Sequence, residues 1–293
     1  MSELGTVSVV VASFRDLAIL EQCLDSLRPQ CRALGAELLV ARASRETAAE
    51  LDSLAEGCRI APARADASVP ELRGVGLAAA RGEWVAITED HCVADPKWLA
   101  TLLAARQPGV QVLGGRMGNA RRERSTDCGA FFAEYGFYGI TPGCRRAGVA
   151  PLVTQANAAY HRSVLADIAQ WARAGSWENV IHDRLFAAGR RFALVPEARI
   201  YQNLHYGLGA FCRDRYRHGR AYGATRAKGL PAGRRALLLA GTPLLPAVLG
   251  SRIYRCVDPA ERRYWWRGFP AMFAFLSAWA VGEAAGYVRG GAA

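Results

Sequence analysis

Three consecutive polar residues, Glu89-Asp90-His91, follow a short apolar run in this chain. Carboxylate oxygens and imidazole nitrogens can ligate a divalent cation, and they can also exchange a proton. The run 84–87 contains two β-branched residues and is typical of a buried strand. Because ligands of open α/β sheets bind beyond the carboxyl ends of strands, this cluster is a candidate ligand site. The alternative is a polar turn that leads to an ordinary helix cap at Asp95.

Length and charge limit the classes of function. The chain has 293 residues, enough for one large domain or for one domain with an appendage. Its formal net charge of +11 favours an anionic partner, such as a nucleotide, a nucleic acid or a lipid surface. Because no nucleic-acid reader motif is recognisable, we predict no specific nucleic-acid partner. Eight scattered cysteines without a Cys-x-x-Cys pair predict reduced thiols in a cytosolic protein.

Alternating segments predict the elements that position the acidic cluster. The predicted strands are 7–12, 37–41, 58–61 and 84–87. The predicted helices are 17–27, 46–56, 69–80 and 98–105, with Ser13 offered as the N-cap of the first. Strands that alternate with helices form a parallel sheet with right-handed crossovers. Farther on, aromatic residues between Phe131 and Tyr138 have helical spacing, which more often marks a core face than a substrate platform.

The C-terminal part of the chain has a different character. The stretches 237–249 and 268–288 are apolar, but prolines and Glu283 interrupt them, so neither reads as a clean membrane span. Arginines flank both stretches, and Tyr264, Trp265 and Trp266 lie beside them. This pattern predicts an interfacial or re-entrant membrane element. The alternatives are an amphipathic appendage packed on the sheet, or an oligomer contact.

Several further motifs accompany the acidic cluster in a fixed order. They are Val7 to Phe14, Leu72-Arg73-Gly74-Val75-Gly76, Ala80-Arg81-Gly82-Glu83, Asn157-Ala-Ala-Tyr-His161-Arg162, and Trp177-Glu178 followed by Leu185 and Gly189. With Glu89-Asp90-His91 and a late histidine, this order resembles the family 2 glycosyltransferases, which have the GT-A fold. The resemblance runs from Val7 to about His205, and on to roughly Arg226.

The resemblance implies a fold and a function. The expected fold class is α/β, a GT-A (Rossmann-like), mostly parallel sheet flanked by helices, with a C-terminal helical membrane-associated appendage. The expected domains are 1–226 for the glycosyltransferase and 227–293 for the appendage. The implied enzyme is inverting and moves a sugar from a nucleotide-sugar donor to a lipid-linked or polysaccharide acceptor of the cell envelope. It would lie at the cytoplasmic face of the cell membrane, held peripherally or by a re-entrant segment, or in the cytoplasm.

The resemblance also implies roles for individual residues. Glu178 falls where the family's catalytic Asp stands, so it is the expected base, and Asp183 is expected to be structural. A divalent metal, Mn²⁺ or Mg²⁺, is the expected cofactor, and a Glu/His pair suits Mn²⁺ better. The expected metal ligands are Glu89, His91 and His205, although His205 has the alternative of a surface histidine in a turn. The expected nucleotide-sugar-binding residues are Ala12, Ser13, Phe14, Ser44, Arg73, Glu89 and Asp90.

The chain departs from the family pattern at functional positions. After the second strand the family has an acidic residue where this chain has Ala41, and arginines stand at 42 and 45. We expect these arginines to be exposed and solvated, with phosphate binding as the alternative. Gly74 replaces the family's Asn. These replacements, with those at 89 and 91, motivate a second hypothesis, a catalytically inactive GT-A scaffold that binds a nucleotide or a partner glycosyltransferase.

Overall fold

The computed structural model describes residues 6–43, 56–138 and 151–289. The chain divides into two compact units: unit 1 comprises residues 1–118 and 145–203, and unit 2 comprises residues 119–144 and 204–293. The domain boundary predicted after residue 226 stays a prediction.

Within the described residues, eight strands form one sheet in the order β3-β2-β1-β4-β7-β6-β8-β5. Its strands are β1 Val7–Ser13, β2 Glu37–Ala43, β3 Arg59–Ala63, β4 Trp84–Glu89, β5 Cys92–Ala94, β6 Val110–Asn119, β7 Ala158–His161 and β8 Arg191–Gln202. The pairs β1–β2, β1–β4 and β2–β3 are parallel, as the alternation of strands and helices in the sequence predicts. The pairs β4–β7, β6–β7 and β5–β8 are antiparallel. The fold is therefore α/β with a parallel half that carries the predicted strand ends.

Ten α-helices lie within the described residues. They are α1 Leu17–Leu34, α2 Val69–Ala79, α3 Trp98–Ala104, α4 Ser125–Tyr135, α5 Leu165–Arg173, α6 Glu178–Ala187, α7 Leu208–Ala227, α8 Ala232–Gly241, α9 Leu245–Cys256 and α10 Arg262–Arg289. The predicted helices 69–80 and 98–105 are confirmed to within one residue. The predicted helix 46–56 lies largely outside the described residues. The prediction of Ser13 as an N-cap is wrong, because β1 continues through Ser13 and Asp16 precedes the helix.

Helix α2 lies unusually close to its neighbours in unit 1. A Cβ at Gly76 would lie 2.4 Å from Val10 Cγ1 of β1, and a Cβ at Gly74 would lie 2.8 Å from the backbone nitrogen of Arg173 in α5. Neither position can carry a side chain without a shift of the helix. Gly74 in place of the family Asn therefore has a packing reason, and the close approach sets the depth at which the α2 side chains enter the core.

Unit 2 is built around helix pairs that meet at glycines. Cβ atoms at Gly219 and Gly223 of α7 would lie 2.2 and 2.3 Å from backbone oxygens of α10. Cβ atoms at Gly282 and Gly286 of α10 would lie 2.1 and 2.4 Å from backbone oxygens of α7. The two backbones thus touch through small-xxx-small spacings, a contact frequent in membrane helices and also possible in soluble ones.

Two helical segments of unit 2, Ala232–Cys256 and Pro259–Val288, are long and apolar enough to cross a membrane. Core helices of soluble proteins can have the same length and apolar composition.

Two further expectations concern side chains of unit 2. The aromatic residues Phe131, Phe132 and Tyr135 of α4 are buried, which confirms that they form core. The expectation that every cysteine is a reduced thiol is wrong at Cys256, which is disulfide-bonded. Isolated cysteines carry no sequence signal that tells a thiol from half of a disulfide, because the pairing depends on tertiary proximity.

Glu37 joins three elements of the parallel sheet, and its removal is a test of this arrangement. Its carboxylate accepts hydrogen bonds from Ser8 Oγ at 2.5 Å, Arg81 N–H at 3.0 Å and Arg59 Nη2 at 2.6 Å. Burial raises the pKa of Glu37, but these donors outweigh it and hold the pKa below its ordinary value.

We expect Glu37→Gln to lower the free energy of unfolding by about 1–3 kcal/mol at pH 7, because a charge-assisted acceptor is lost. Since the folded-state pKa is depressed, the stabilisation by Glu37 is present above the ordinary pKa of a Glu and disappears as pH falls through the folded pKa. Chemical denaturation at pH 7 and at pH 4 measures the difference. An equal cost at both pH values would contradict the assignment.

Candidate active site

The strand-end cluster lies at the carboxyl ends of two parallel strands. Ala12 of β1 pairs with Glu89 of β4, so the turn after β1 and the polar run after β4 start at the same edge of the sheet. Glu89, Asp90 and His91 are buried, with exposed side-chain fractions of 8%, 0% and 2%. A polar cluster this deeply buried requires partners within the protein.

Asp90 binds the turn after β1. Its Oδ2 accepts hydrogen bonds from Ser13 Oγ at 3.1 Å and from the N–H groups of Phe14 and Arg15, each at 2.8 Å. Its Oδ1 lies 3.7 Å from Arg15 Nε and 3.6 Å from His91 Nδ1. Burial raises the pKa of Asp90, but His91 and the two N–H groups lower it by a larger amount. The net pKa therefore lies below its ordinary value. Asp90 is therefore a carboxylate that holds this turn.

Arg73 of α2 joins two carboxylates that are far apart in sequence. Its Nη2 donates to Glu89 Oε1, and its Nη1 donates to Glu178 Oε2 at 2.7 Å and to Gln155 Oε1 at 3.2 Å. The side chain of Arg73 is only 3% exposed. The structure thus brings together the residue predicted as catalytic, Glu178, and a residue predicted to bind donor and metal, Glu89.

The ion pair determines the protonation of Glu178. Burial raises the pKa of this carboxyl, but the charge and hydrogen bond of Arg73, together with the N–H of Glu178 itself, hold the net pKa below its ordinary value. Glu178 begins helix α6, where the helix dipole also favours a negative charge. Glu178 is consequently ionised at neutral pH and able to accept a proton.

A buried histidine lies one helical turn after Glu178. His182 Nε2 is 2.8 Å from the hydroxyl of Tyr160 on β7. Burial lowers the pKa of His182 to about 4, so the ring is neutral at neutral pH. A neutral ring adds no charge beside Glu178, and it ties α6 to the sheet. Sequence reasoning missed this pair: Tyr160 lies within the motif from Asn157 to Arg162, but no local signal shows that it meets His182.

Three of the remaining predicted nucleotide-binding residues, Ala12, Ser13 and Phe14, are among the described residues and lie at the same edge of the sheet. Ala12 and Ser13 are buried, whereas Phe14 is 39% exposed and lies under the guanidinium of Arg15, with Cζ 4.9 Å from the ring centroid. Ser44 and Arg45 lie outside the described residues. The expectation that Arg42 is exposed is wrong: it is 3% exposed, and its Nη1 donates to Ser13 Oγ and to the carbonyl oxygen of Arg15. These two acceptors, at the carboxyl end of β1, compensate part of the free-energy cost of burying the Arg42 guanidinium.

His205 belongs to unit 2. Its Nδ1 is 2.7 Å from Oδ2 of Asp127, whose Oδ1 accepts the N–H of Tyr206 at 2.8 Å. The side chain of His205 is 42% exposed, whereas that of Asp127 is fully buried. Asp127 thus orients this histidine. The sequence did not reveal this role, because no motif surrounds Asp127.

A divalent cation would find suitable atoms at the end of β4. Glu89 Oε2 lies 3.5 Å from His91 Nδ1, and a carboxylate with an imidazole suits Mn²⁺. Within residues 6–43, 56–138 and 151–289, no group of three or more His, Cys, Asp or Glu side chains could hold a metal by itself. Cations that bind substrate phosphates often take only one or two protein ligands, so Glu89 and His91 fit a site of that kind.

Comparison with known proteins decides the family. The model of the family described as "Glycosyl transferase family 2" matches residues 8–169, more than half of the chain. The chain belongs to glycosyl transferase family 2. The match includes the turn after β1, Arg73 and the cluster after β4, and it ends before Glu178. The family match of this glycosyltransferase thus covers the parallel half of the sheet and also the strands β5, β6 and β7. No curated protein matches it significantly.

Solved structures place this glycosyltransferase among proteins of the same fold. The mannosyltransferase PcManGT from Pyrobaculum calidifontis, solved with GDP-Man and Mn²⁺, has a TM-score of 0.53 at 15% identity, covering 94% of this chain and 86% of its own. Glucosyl-3-phosphoglycerate synthase from Mycobacterium tuberculosis, solved with Mn²⁺, UDP and glucosyl-3-phosphoglycerate, has a TM-score of 0.46 at 16% identity, covering 70% of this chain and 74% of its own. The likeness to the mannosyltransferase shows the GT-A fold.

Replacement of Arg73 tests the buried ion-pair bridge. We expect Arg73→Met to lower the free energy of unfolding by about 3–5 kcal/mol at pH 7, because two buried carboxylates lose their cation. Without Arg73 burial dominates and raises the pKa of Glu178, so the cost should shrink as pH falls and this carboxyl takes up a proton.

Chemical denaturation at pH 7 and pH 5 measures this cost. Arg64→Met is the control, since Arg64 also faces two carboxylates but its side chain is 70% exposed. We expect it to cost no more than about 1 kcal/mol. Equal costs for the two variants would contradict a buried bridge.

Proposed function

We propose that this glycosyltransferase is an inverting enzyme that moves a sugar from a nucleoside diphosphate sugar to a hydroxyl of a lipid-linked or polysaccharide acceptor. The observation that carries the proposal is the Arg73 bridge. It holds an ionised Glu178 beside Glu89, at the strand end where ligands of α/β sheets bind. A base and a donor-binding carboxylate in one cluster are what a direct displacement requires.

Glu178 is the proposed catalytic base. The acceptor oxygen attacks the anomeric carbon of the donor, and its proton passes to a carboxylate oxygen of Glu178. The bond between the anomeric carbon and the diphosphate oxygen breaks on the opposite face, which inverts the configuration. The nucleoside diphosphate leaves with the electron pair. Arg73 keeps the carboxylate ionised before this transfer.

The donor and metal roles follow from the same sheet edge. We assign the nucleotide to the turn Ala12 to Phe14, with Phe14 as its exposed aromatic ring. When bound, Mn²⁺ or Mg²⁺ would neutralise charge on the departing diphosphate. Glu89 and His91 are its proposed ligands, and the assignment of His205 as a further ligand stays a prediction. Support for this donor class comes from the same-fold mannosyltransferase, which was solved with GDP-Man and Mn²⁺.

The C-terminal helices are the proposed membrane contact at the cytoplasmic face. None of the ten residues of α8 is buried, and Leu237 is 73% exposed. Leu244 and Trp266 are 66% and 60% exposed. Arginines at both ends of the segment Ala232–Cys256 would meet anionic head groups, while the apolar side chains enter the interface. A membrane surface would bring the enzyme to a lipid-linked acceptor.

The inactive scaffold is the second candidate. Its support is that Glu89 already binds Arg73 and that the family residues at 41, 74, 89 and 91 are replaced. Absence of any nucleoside diphosphate release from a panel of nucleotide sugars, by protein that still binds nucleotide, would favour the scaffold over the enzyme.

Glu178→Gln tests the proposed base. The amide keeps the shape and can still accept from Arg73, but it cannot take the acceptor proton. We expect kcat to fall about 100- to 10,000-fold while nucleoside diphosphate affinity is retained. The measurements are nucleoside diphosphate release from GDP-mannose and UDP-glucose with Mn²⁺, and calorimetric titration with GDP and UDP.

The matched control is Asp183→Asn. Asp183 lies on the same helix and is exposed, so this variant should keep the wild-type kcat. Wild-type turnover in Glu178→Gln, or an equal loss in both variants, would remove Glu178 from the mechanism.

Leu237→Asp combined with Leu244→Asp tests the membrane contact. Two charges on the exposed apolar surface should greatly reduce flotation with vesicles that contain anionic lipid, because a charged side chain costs about 2–3 kcal/mol to bury in the bilayer. Leu152→Asp is the control, since Leu152 is 40% exposed but belongs to unit 1. Unchanged flotation of the double variant would contradict the proposal.

A further inference from the structure

Two buried charged residues from neighbouring strands hold the turn 13–15 from opposite sides. Asp90, after β4, accepts from Ser13 Oγ and from two N–H groups of the turn. Arg42, on β2, lies directly opposite Ser13 in the β1–β2 register and donates to Ser13 Oγ at 2.7 Å and to the Arg15 carbonyl oxygen at 2.5 Å. The Ser13 hydroxyl therefore lies between an anion and a cation, which fixes its orientation.

The turn directs its polar backbone inward and leaves an aromatic ring outside. The backbone N–H groups of Phe14 and Arg15 and the carbonyl of Arg15 all bind within the protein. Phe14 is 39% exposed, with the guanidinium of Arg15 over its ring. An exposed ring on a rigid turn can stack on a nucleobase without discriminating strongly among bases, because every base has a π face.

We propose that Arg42 is a positioning residue for donor recognition: with Asp90 it holds the turn 13–15 so that Phe14 stacks on the nucleobase of the donor. The inference rests on the proposed function, because it takes this turn as the nucleotide-binding turn. It also gives a role to an arginine that stands beside the lost acidic position of the family pattern. Recognition of the base then depends on stacking rather than on an acidic acceptor at position 41.

The competing interpretation is that Arg42 contacts the diphosphate directly. Its 3% exposure and its two hydrogen bonds to the turn favour a role through the turn. The two roles make different predictions for ligands that lack the base. A turn that orients Phe14 matters to a nucleoside diphosphate but not to inorganic pyrophosphate, whereas a phosphate contact matters to both.

The experiment is calorimetric titration of the full chain with GDP, UDP and inorganic pyrophosphate, each with Mn²⁺. We expect Arg42→Met to weaken the tighter-binding nucleotide by about 10-fold or more and to leave pyrophosphate affinity unchanged. Phe14→Leu should show the same split. Arg42→Lys, which keeps a cation able to reach one acceptor, should restore part of the affinity. In transfer assays Arg42→Met should raise the donor KM and leave kcat at saturating donor unchanged.

The matched control is Arg59→Met on β3, which removes an arginine bound to Glu37 in the same sheet and should keep nucleotide affinity. Parallel loss of pyrophosphate and nucleotide binding in Arg42→Met would overturn the proposal in favour of a phosphate contact. Unchanged nucleotide binding in Arg42→Met would also overturn it. If the wild-type protein binds neither nucleotide, the proposed donor class itself fails, an outcome that the wild-type titration reveals before any variant is compared.

Discussion

A buried guanidinium that neutralises two buried carboxylates is the interaction on which the candidate site depends. Arg73 contacts Glu89 at the end of β4 and Glu178 at the start of α6, and all three side chains are largely withdrawn from water. Burial of a charge is costly unless it is paired and hydrogen-bonded, so each member stabilises the position of the others. Helix α2, which carries Arg73, lies against β1 closely enough at Gly76 that no side chain fits between them.

Buried charges also hold the turn after β1. They are Asp90, which follows β4, and Arg42, which lies on β2. Asp90 and Arg42 both bind the turn that lies between them. The parallel register of β1 with both β2 and β4 brings the two residues to opposite sides of Ser13. A segment fixed in this way is preorganised, and preorganisation reduces the entropy that ligand binding would otherwise cost.

Unit 2 combines close helix packing with exposed apolar surface. Glycines of α7 and α10 let the two backbones touch, and the aromatic pairs Phe211–Phe275 and Tyr222–Trp279 join the same two helices. The adjoining helix α8 buries none of its residues, although it is rich in leucine. Apolar surface left uncovered beside arginines has the chemistry of a lipid interface. In the same unit, the buried carboxylate of Asp127 fixes the half-exposed His205 by a hydrogen bond.

Local patterns in the sequence determined the four strands of the parallel half, the helices α2 and α3, and the family, because hydrophobic periodicity and short motifs are properties of neighbouring residues. They also placed Glu89, Asp90 and Glu178 in a candidate site. Only the tertiary structure decided that Arg73 joins Glu89 to Glu178, that Arg42 is buried, and that Asp127 orients His205. These pairings connect residues from 16 to 105 positions apart in sequence, and the partner of a buried charge depends on which elements the fold brings together. The spacing of residues in the sequence does not indicate which charges will pair. The desolvation cost that requires a partner arises only when the folded core excludes water.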